Sequence, residues 1–128
     1  MALALVSCQK PVTATLGKPL DLMVRHAATF QKSDFDVYFR RVVSDSRCPQ
    51  GAQCVSAGEA VVALDGRILK ATPQSFEVRL QGGEAPDSIV WTAFEGYRIR
   101  LIRLDPYPVT GVAADTTAYI GRFVVEKH

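Results

Sequence analysis

Apolar and polar residues alternate with a period of two along most of this chain, as they do in strands that bury one face and wet the other. Leu20, Leu22 and Val24 are interleaved with Asp21, Met23 and Arg25, and Phe35, Val37 and Phe39 with Asp36, Tyr38 and Arg40. Ala60, Val62 and Leu64 continue the series, followed by Phe76, Val78 and Leu80 around Glu77 and Arg79. Tyr97, Ile99 and Leu101 alternate with Arg98 and Arg100; Ile102 and Leu104 then shift the phase, as a β-bulge or a strand buried on both faces does. A last strand is expected over Ala118 to Val125.

Turn chemistry falls between these runs, at Gly17-Lys18-Pro19, Gln81-Gly82-Gly83, Glu95-Gly96 and Asp105-Pro106-Tyr107-Pro108. Short strands at this spacing predict an all-β fold, an antiparallel β-sandwich of immunoglobulin-like architecture with about seven strands. Ala27 to Lys32 is expected to make at most one helical turn. Asp65-Gly66 suits either a tight hairpin or a bulge within one long strand from Gly58 to Ala71. The long strand is the expectation, because Arg67 to Ala71 is short for a strand of its own. That choice brings the loop after Asp45 and the Pro106-Tyr107-Pro108 loop to the same end of the sandwich.

Composition adds bounds. The 128 residues, 48% hydrophobic and 22% charged, suffice for one core without help from a metal. Residues 1–10 are read as a residual signal or disordered segment and 11–128 as one β-sandwich domain. A net charge of +2 does not argue for nucleic acid, and no apolar run reaches the roughly 20 residues of a membrane span.

The most specific local feature is Asp45-Ser46-Arg47-Cys48-Pro49-Gln50-Gly51-Ala52-Gln53-Cys54. The cysteine pair can be read as a disulfide, a metal half-site or two separate thiols. A zinc site wants a second pair of ligands, and the histidines are only His26 and His128. A disulfide needs a turn, which Pro49 supplies by its fixed φ and Gly51 by its tolerance of positive φ. Cys48 and Cys54 are therefore expected to be bonded to each other, clamping one loop, with no cofactor or metal involved. Cys8 stands apart, in Leu5-Val6-Ser7-Cys8. That run has the form of a bacterial lipobox, in which the cysteine becomes the lipid-bearing first residue. No Lys or Arg precedes it and the apolar stretch is short for a signal. The expectation is a lipid anchor at Cys8, which would be the chain's one link to a membrane, and a core that owes nothing to residues 1–7.

The stretch Ser44 to Ala60, with Tyr97-Arg98-Ile99-Arg100-Leu101 and Pro106-Tyr107-Pro108, resembles small bacterial secreted proteins and lipoproteins. Their pattern runs D-S-R-C-P, C-x-W-A-G-E/N-A, Y-x-I-x-L and P-Y-P. Ser56 stands where that pattern often has Trp, a departure that bears on how this loop packs. The resemblance implies export and supports the disulfide, and it carries no established activity.

Catalytic chemistry has little to work with. The serines lack a G-x-S-x-G elbow, and His26 beside Arg25 reads as a strand-edge residue. Asp34, Asp36 and Asp45 do not match a calcium loop; Asp45 is expected to cap the turn into the cysteine loop, with Arg47 as partner. Arg98 and Arg100, with Arg40 and Arg41 on an expected neighbouring strand and Arg103 nearby, read as a solvent face matched by Glu59, Glu77 and Glu126. Tyr107, held between two prolines, is a candidate contact residue. If the two loops share one end, Arg47, Gln50, Gln53 and Tyr107 form a mixed polar and aromatic binding patch. The expected function is a non-enzymatic envelope or secreted module, periplasmic if not released, whose partner is a protein or a cell-envelope polymer. The alternative is a protease inhibitor presenting the Cys48–Cys54 loop as a substrate mimic.

Overall fold

Nine strands form among the residues that the computed structural model describes, 10–81 and 90–128. In chain order they are β1 (Val12–Ala14), β2 (Leu20–Met23), β3 (Ala27–Phe30), β4 (Phe35–Asp45), β5 (Glu59–Ile68), β6 (Gln74–Gln81), β7 (Thr92–Phe94), β8 (Tyr97–Asp105) and β9 (Ile120–Lys127). They divide into a five-stranded sheet, β1-β3-β4-β5-β6, and a four-stranded sheet, β2-β9-β8-β7. The described residues contain no helix, so the all-β sandwich stands. Residues 1–9, and with them the proposed lipid anchor at Cys8, lie outside the described residues.

The period-two pattern does what it should. Phe35, Val37 and Phe39 of β4, Val62 and Leu64 of β5 and Val78 of β6 face Leu22, Ile99, Leu104, Phe123 and Val125 of the other sheet in one continuous core. Phe35 sits at its centre, with ring centroids 5.7 Å from Phe30, 5.6 Å from Phe94 and 4.9 Å from Tyr97. The phase shift after Leu101 is a register break in the pairing of β8 with β9.

Three details go beyond the expected all-β sandwich. Ala27 to Lys32 is not helical: Ala28 and Phe30 bury alternate side chains in β3, and Lys32 reverses the chain into β4 with φ of 58°. The sheets are not wholly antiparallel, because β1 pairs with β3 in parallel. The strand order, which the alternation along the chain does not give, is largely sequential: β3 to β6 are neighbours in one sheet and β7 to β9 in the other.

The strand through Asp65-Gly66 is continuous, and its ladders to β4 and β6 show no break at these two residues. Gly66 is there for space: a Cβ on it would come within 2.9 Å of the Phe94 ring and 3.0 Å of Phe76, two rings that stack 4.8 Å apart over it. The bulges lie instead on β4, where the register shifts between Phe39 and Arg41 and between Val42 and Ser44. The chain turns at Leu69-Lys70, both at positive φ (54° and 67°), with the Ala71 N–H donating to the Ile68 carbonyl at 2.9 Å. Because β5 runs through, the β4–β5 and β8–β9 loops meet at one end.

Candidate functional site

The site at that end is assembled from backbone first. The β4–β5 ladder continues into the loop: the Ser46 N–H donates to the Glu59 carbonyl at 2.8 Å and the Cys48 N–H to that of Ala57 at 2.9 Å. Gly58, at φ of 73°, makes this narrow base possible, since a Cβ there would fall on the Ser46 carbonyl. Cys48 and Cys54 are joined in a disulfide, and the Ala52 N–H closes a turn onto the Pro49 carbonyl at 3.2 Å. The second loop then docks onto the first as a short parallel bridge of Gln50 with Val109. Gln50 donates its N–H to Pro108 O at 2.9 Å and accepts from the Thr110 N–H at 3.0 Å.

Beneath the two loops lies an ion pair. Arg47 is buried, 4% exposed, and donates Nε and Nη2 to the two oxygens of Asp45 at 2.8 and 2.7 Å. Its Nη1 donates to Leu104 O at 2.9 Å and its Nη2 also to Pro106 O at 3.3 Å. Tyr119 donates its hydroxyl to Asp45 at 3.1 Å. One guanidinium thus joins the end of β4 in one sheet to the end of β8 in the other. Burial alone would push the Asp45 carboxyl up; the hydrogen bonds and charge of Arg47 and the Tyr119 hydroxyl outweigh it, and the group stays below its usual range. Burial and the adjoining Asp45 charge raise the Tyr119 phenol.

Tyr107 is drawn into the same construction. Its ring lies 4.7 Å from the Arg47 guanidinium carbon, and its hydroxyl donates to Cys48 O at 2.8 Å. The four residues expected to form the patch are therefore gathered at one end, with divided roles. Gln50 and Gln53 are exposed, Tyr107 is half-buried, and Arg47 is not a surface contact at all. The inhibitor reading loses Arg47 as a presented residue, and the Pro49 to Ala52 segment it relies on forms a turn rather than an extended strand.

Sequence reasoning missed the apolar part of this surface. Val55 is fully exposed, and Val109 and Val112 are 42% and 67% exposed on the facing loop. The available signal was valines between turn residues with no alternating partners. It also missed the groove beside the platform, about 740 Å³, which runs between the cysteine loop, the end of β6 at Leu80 and Gln81, and β8 from Ile102 to Asp105.

Away from this end, His26 lies in the β2–β3 turn rather than on a strand edge, its Nδ1 3.2 Å from Val24 O. Asp34 accepts from the Tyr97 hydroxyl at 2.9 Å and Asp36 pairs with Arg67 at 2.9 Å. The basic stripe is split: Arg40 and Arg41 belong to β4, while Arg98 and Arg100 are on β8 in the other sheet. There Arg98 pairs with Glu126 at 2.7 Å, and both arginines stack on Trp91, at 4.1 and 5.2 Å. Arg79 pairs with Glu59 and Glu77, as a matched solvent face does. Among the described residues no group of three or more His, Cys, Asp or Glu is placed to hold a metal ion. Comparison of the chain with protein-family models, curated proteins and solved structures finds no match.

Proposed function

We propose that this chain is an exported, non-enzymatic binding module that recognises a protein or an envelope polymer through the two-loop platform. The observation that carries the reading is the division of labour in that platform. The disulfide, the backbone bonds of Gln50 and the buried Arg47 fix its shape from within, while the side chains of Gln50, Gln53 and Val55 stand outside with no structural duty. A surface ordered before contact loses little entropy on binding, and apolar side chains flanked by amides suit a macromolecular partner. The disulfide supports an oxidising compartment, and with it export.

The test is retention of the purified protein on the envelope fraction of the cells that make it. Gln50→Ala, Gln53→Ala and Val55→Ser together should abolish retention while shifting stability by no more than about 0.5 kcal/mol. Equal retention of the triple variant would remove the platform from the proposal. Stoichiometric protease inhibition that disappears on reduction would replace it with the inhibitor reading.

A further inference from the structure

The four sheet edges are unequal. β1, β2 and β7 are three or four residues long, too short to template another strand, whereas β6 runs for eight residues from Gln74 to Gln81. Among the described residues β6 is paired only with β5, so alternate N–H and C=O groups along its other side have no strand partner. Its outer face carries two charges of opposite sign, Glu77 and Arg79, but the other devices that protect such an edge are missing among the described residues. β6 contains no proline, its ladder to β5 is unbroken from Gln81 to Gln74, and its core side carries Phe76, Val78 and Leu80 rather than a charge. Phe76 and Leu80 are only partly buried against the core.

We propose that β6 pairs antiparallel with β6 of a second copy, about a two-fold axis midway between the two copies of Val78, joining two five-stranded sheets edge to edge. The register follows from symmetry and charge. A two-fold axis perpendicular to the sheet keeps inner faces inner, so it must set one residue directly opposite its own copy. Centred on Val78, Glu77 of each copy lies opposite Arg79 of the other, Ser75 lies opposite Gln81, and on the core side Phe76 meets Leu80. Centred one residue earlier the axis sets Glu77 against itself; one later, it sets Arg79 against itself. Like charges directly opposite are destabilising, so only the Val78 register satisfies both charges. Glu77 and Arg79 are about half exposed, with 51% and 49% of their side-chain surface free, so rotamer changes alone can turn them toward this edge. Arg79 is held by Glu59 of β5 at 2.8 Å through Nη1, and its looser contact with Glu77, 3.6 Å through Nη2, is exchanged for two across the axis. Antiparallel pairing leaves the two cysteine-loop platforms at opposite ends of the dimer, both open.

The contact is one strand wide, so association in the micromolar range is expected. Sedimentation equilibrium and light scattering across micromolar to millimolar protein read it directly. Glu77→Arg and Arg79→Glu should each weaken dimerisation roughly tenfold or more, by setting like charges opposite. An equimolar mixture of the two variants should recover it as a heterodimer, and the double variant should recover it as a homodimer. Circular dichroism melts establish that each variant is folded. The wild-type dimer should also weaken as salt rises, which gives the same reading without substitution. A wild type that stays monomeric, single variants that associate like wild type, or a mixture that fails to recover would each overturn the proposal, and none of these touches the platform reading.

Discussion

Arg47 and Asp45, two positions apart in the chain, close a two-pronged ion pair inside the end of the sandwich, Nε and Nη2 to separate carboxylate oxygens at 2.8 and 2.7 Å. The pair is shielded from water, and Arg47 keeps two further bonds to the carbonyls of Leu104 and Pro106. Removing one partner leaves the other charge buried without compensation. Asp45→Ala is therefore expected to destabilise the protein by about 3 kcal/mol in urea denaturation. Arg103→Ala serves as the comparison: its pair with Asp105 is as short, 2.7 Å, but both side chains are largely exposed, and the loss should stay within about 0.5 kcal/mol.

The same pair sets an acid limit. Asp45 titrates below its usual 3.8 in the folded chain, so its contribution is present above that value and is lost as pH falls through the lower folded value. Asp21, through its hydrogen bonds from Arg122, and Asp115, through those from Thr117, shift in the same direction from the surface. Melting temperature should hold down to about pH 4 and drop below it. In Asp45→Asn the drop should be shallower. At the other extreme, burial and neighbouring carboxylates raise the phenols of Tyr97 and Tyr119 above 10. Their contribution is complete below that value and disappears as pH rises through the higher folded values, which phenolate absorbance can follow.

The disulfide closes a short loop between cysteines six positions apart. Replacing both cysteines with serine should cost about 2 kcal/mol in the loop-entropy account, without loss of far-ultraviolet strand signal. Hydrogen exchange should speed up in residues 46–58 and 107–110 together, because the second loop leans on the first through Gln50. Faster exchange confined to the cysteine loop would show that the two loops are independent.

Gly66→Ala places a methyl against the stacked rings of Phe76 and Phe94. The Phe94 ring cannot retreat without disturbing the centre of the core, where it also packs on Phe35. A loss of roughly 1–3 kcal/mol is expected, read from denaturant midpoints. A neutral result would mean that the rings have room to shift.

At the β5–β6 turn the strain runs the other way. Leu69 and Lys70 occupy left-handed conformations that Asn and Gly adopt at far lower cost, and Leu69 is 74% exposed. Leu69→Asn with Lys70→Gly should stabilise the protein by about 1 kcal/mol. A lower melting temperature would contradict the turn geometry.

Which features could be read from the chain follows from the range of the interactions that make them. β4, β5, β6 and β8 are long enough to repeat their alternation several times, and Pro49 and Gly51 lie inside the loop they shape. β1 and β7 have three residues each, too few to display a period, and the parallel pairing of β1 has no local cause. β3 was obscured by Ala27 and Ala28, whose small side chains blur the contrast between its faces. Arg47 misled for a different reason. A lone arginine in a polar loop reads as solvated, and what buries this one are carbonyls 57 and 59 positions away. Gly66 likewise looked like turn chemistry because the rings that require it come from other strands.

The cysteine loop takes its form from main-chain hydrogen bonds, one covalent bond and two residues of special backbone, Gly51 and Gly58 at φ of 91° and 73°. The side chains at Gln50, Gln53, Val55 and Ser56 take no part in holding it. Those positions are thus free to vary as an alphabet on a fixed page. Randomising them while keeping Arg47, Pro49, Gly51 and Gly58 turns the domain into a scaffold from which binders can be selected without altering the fold.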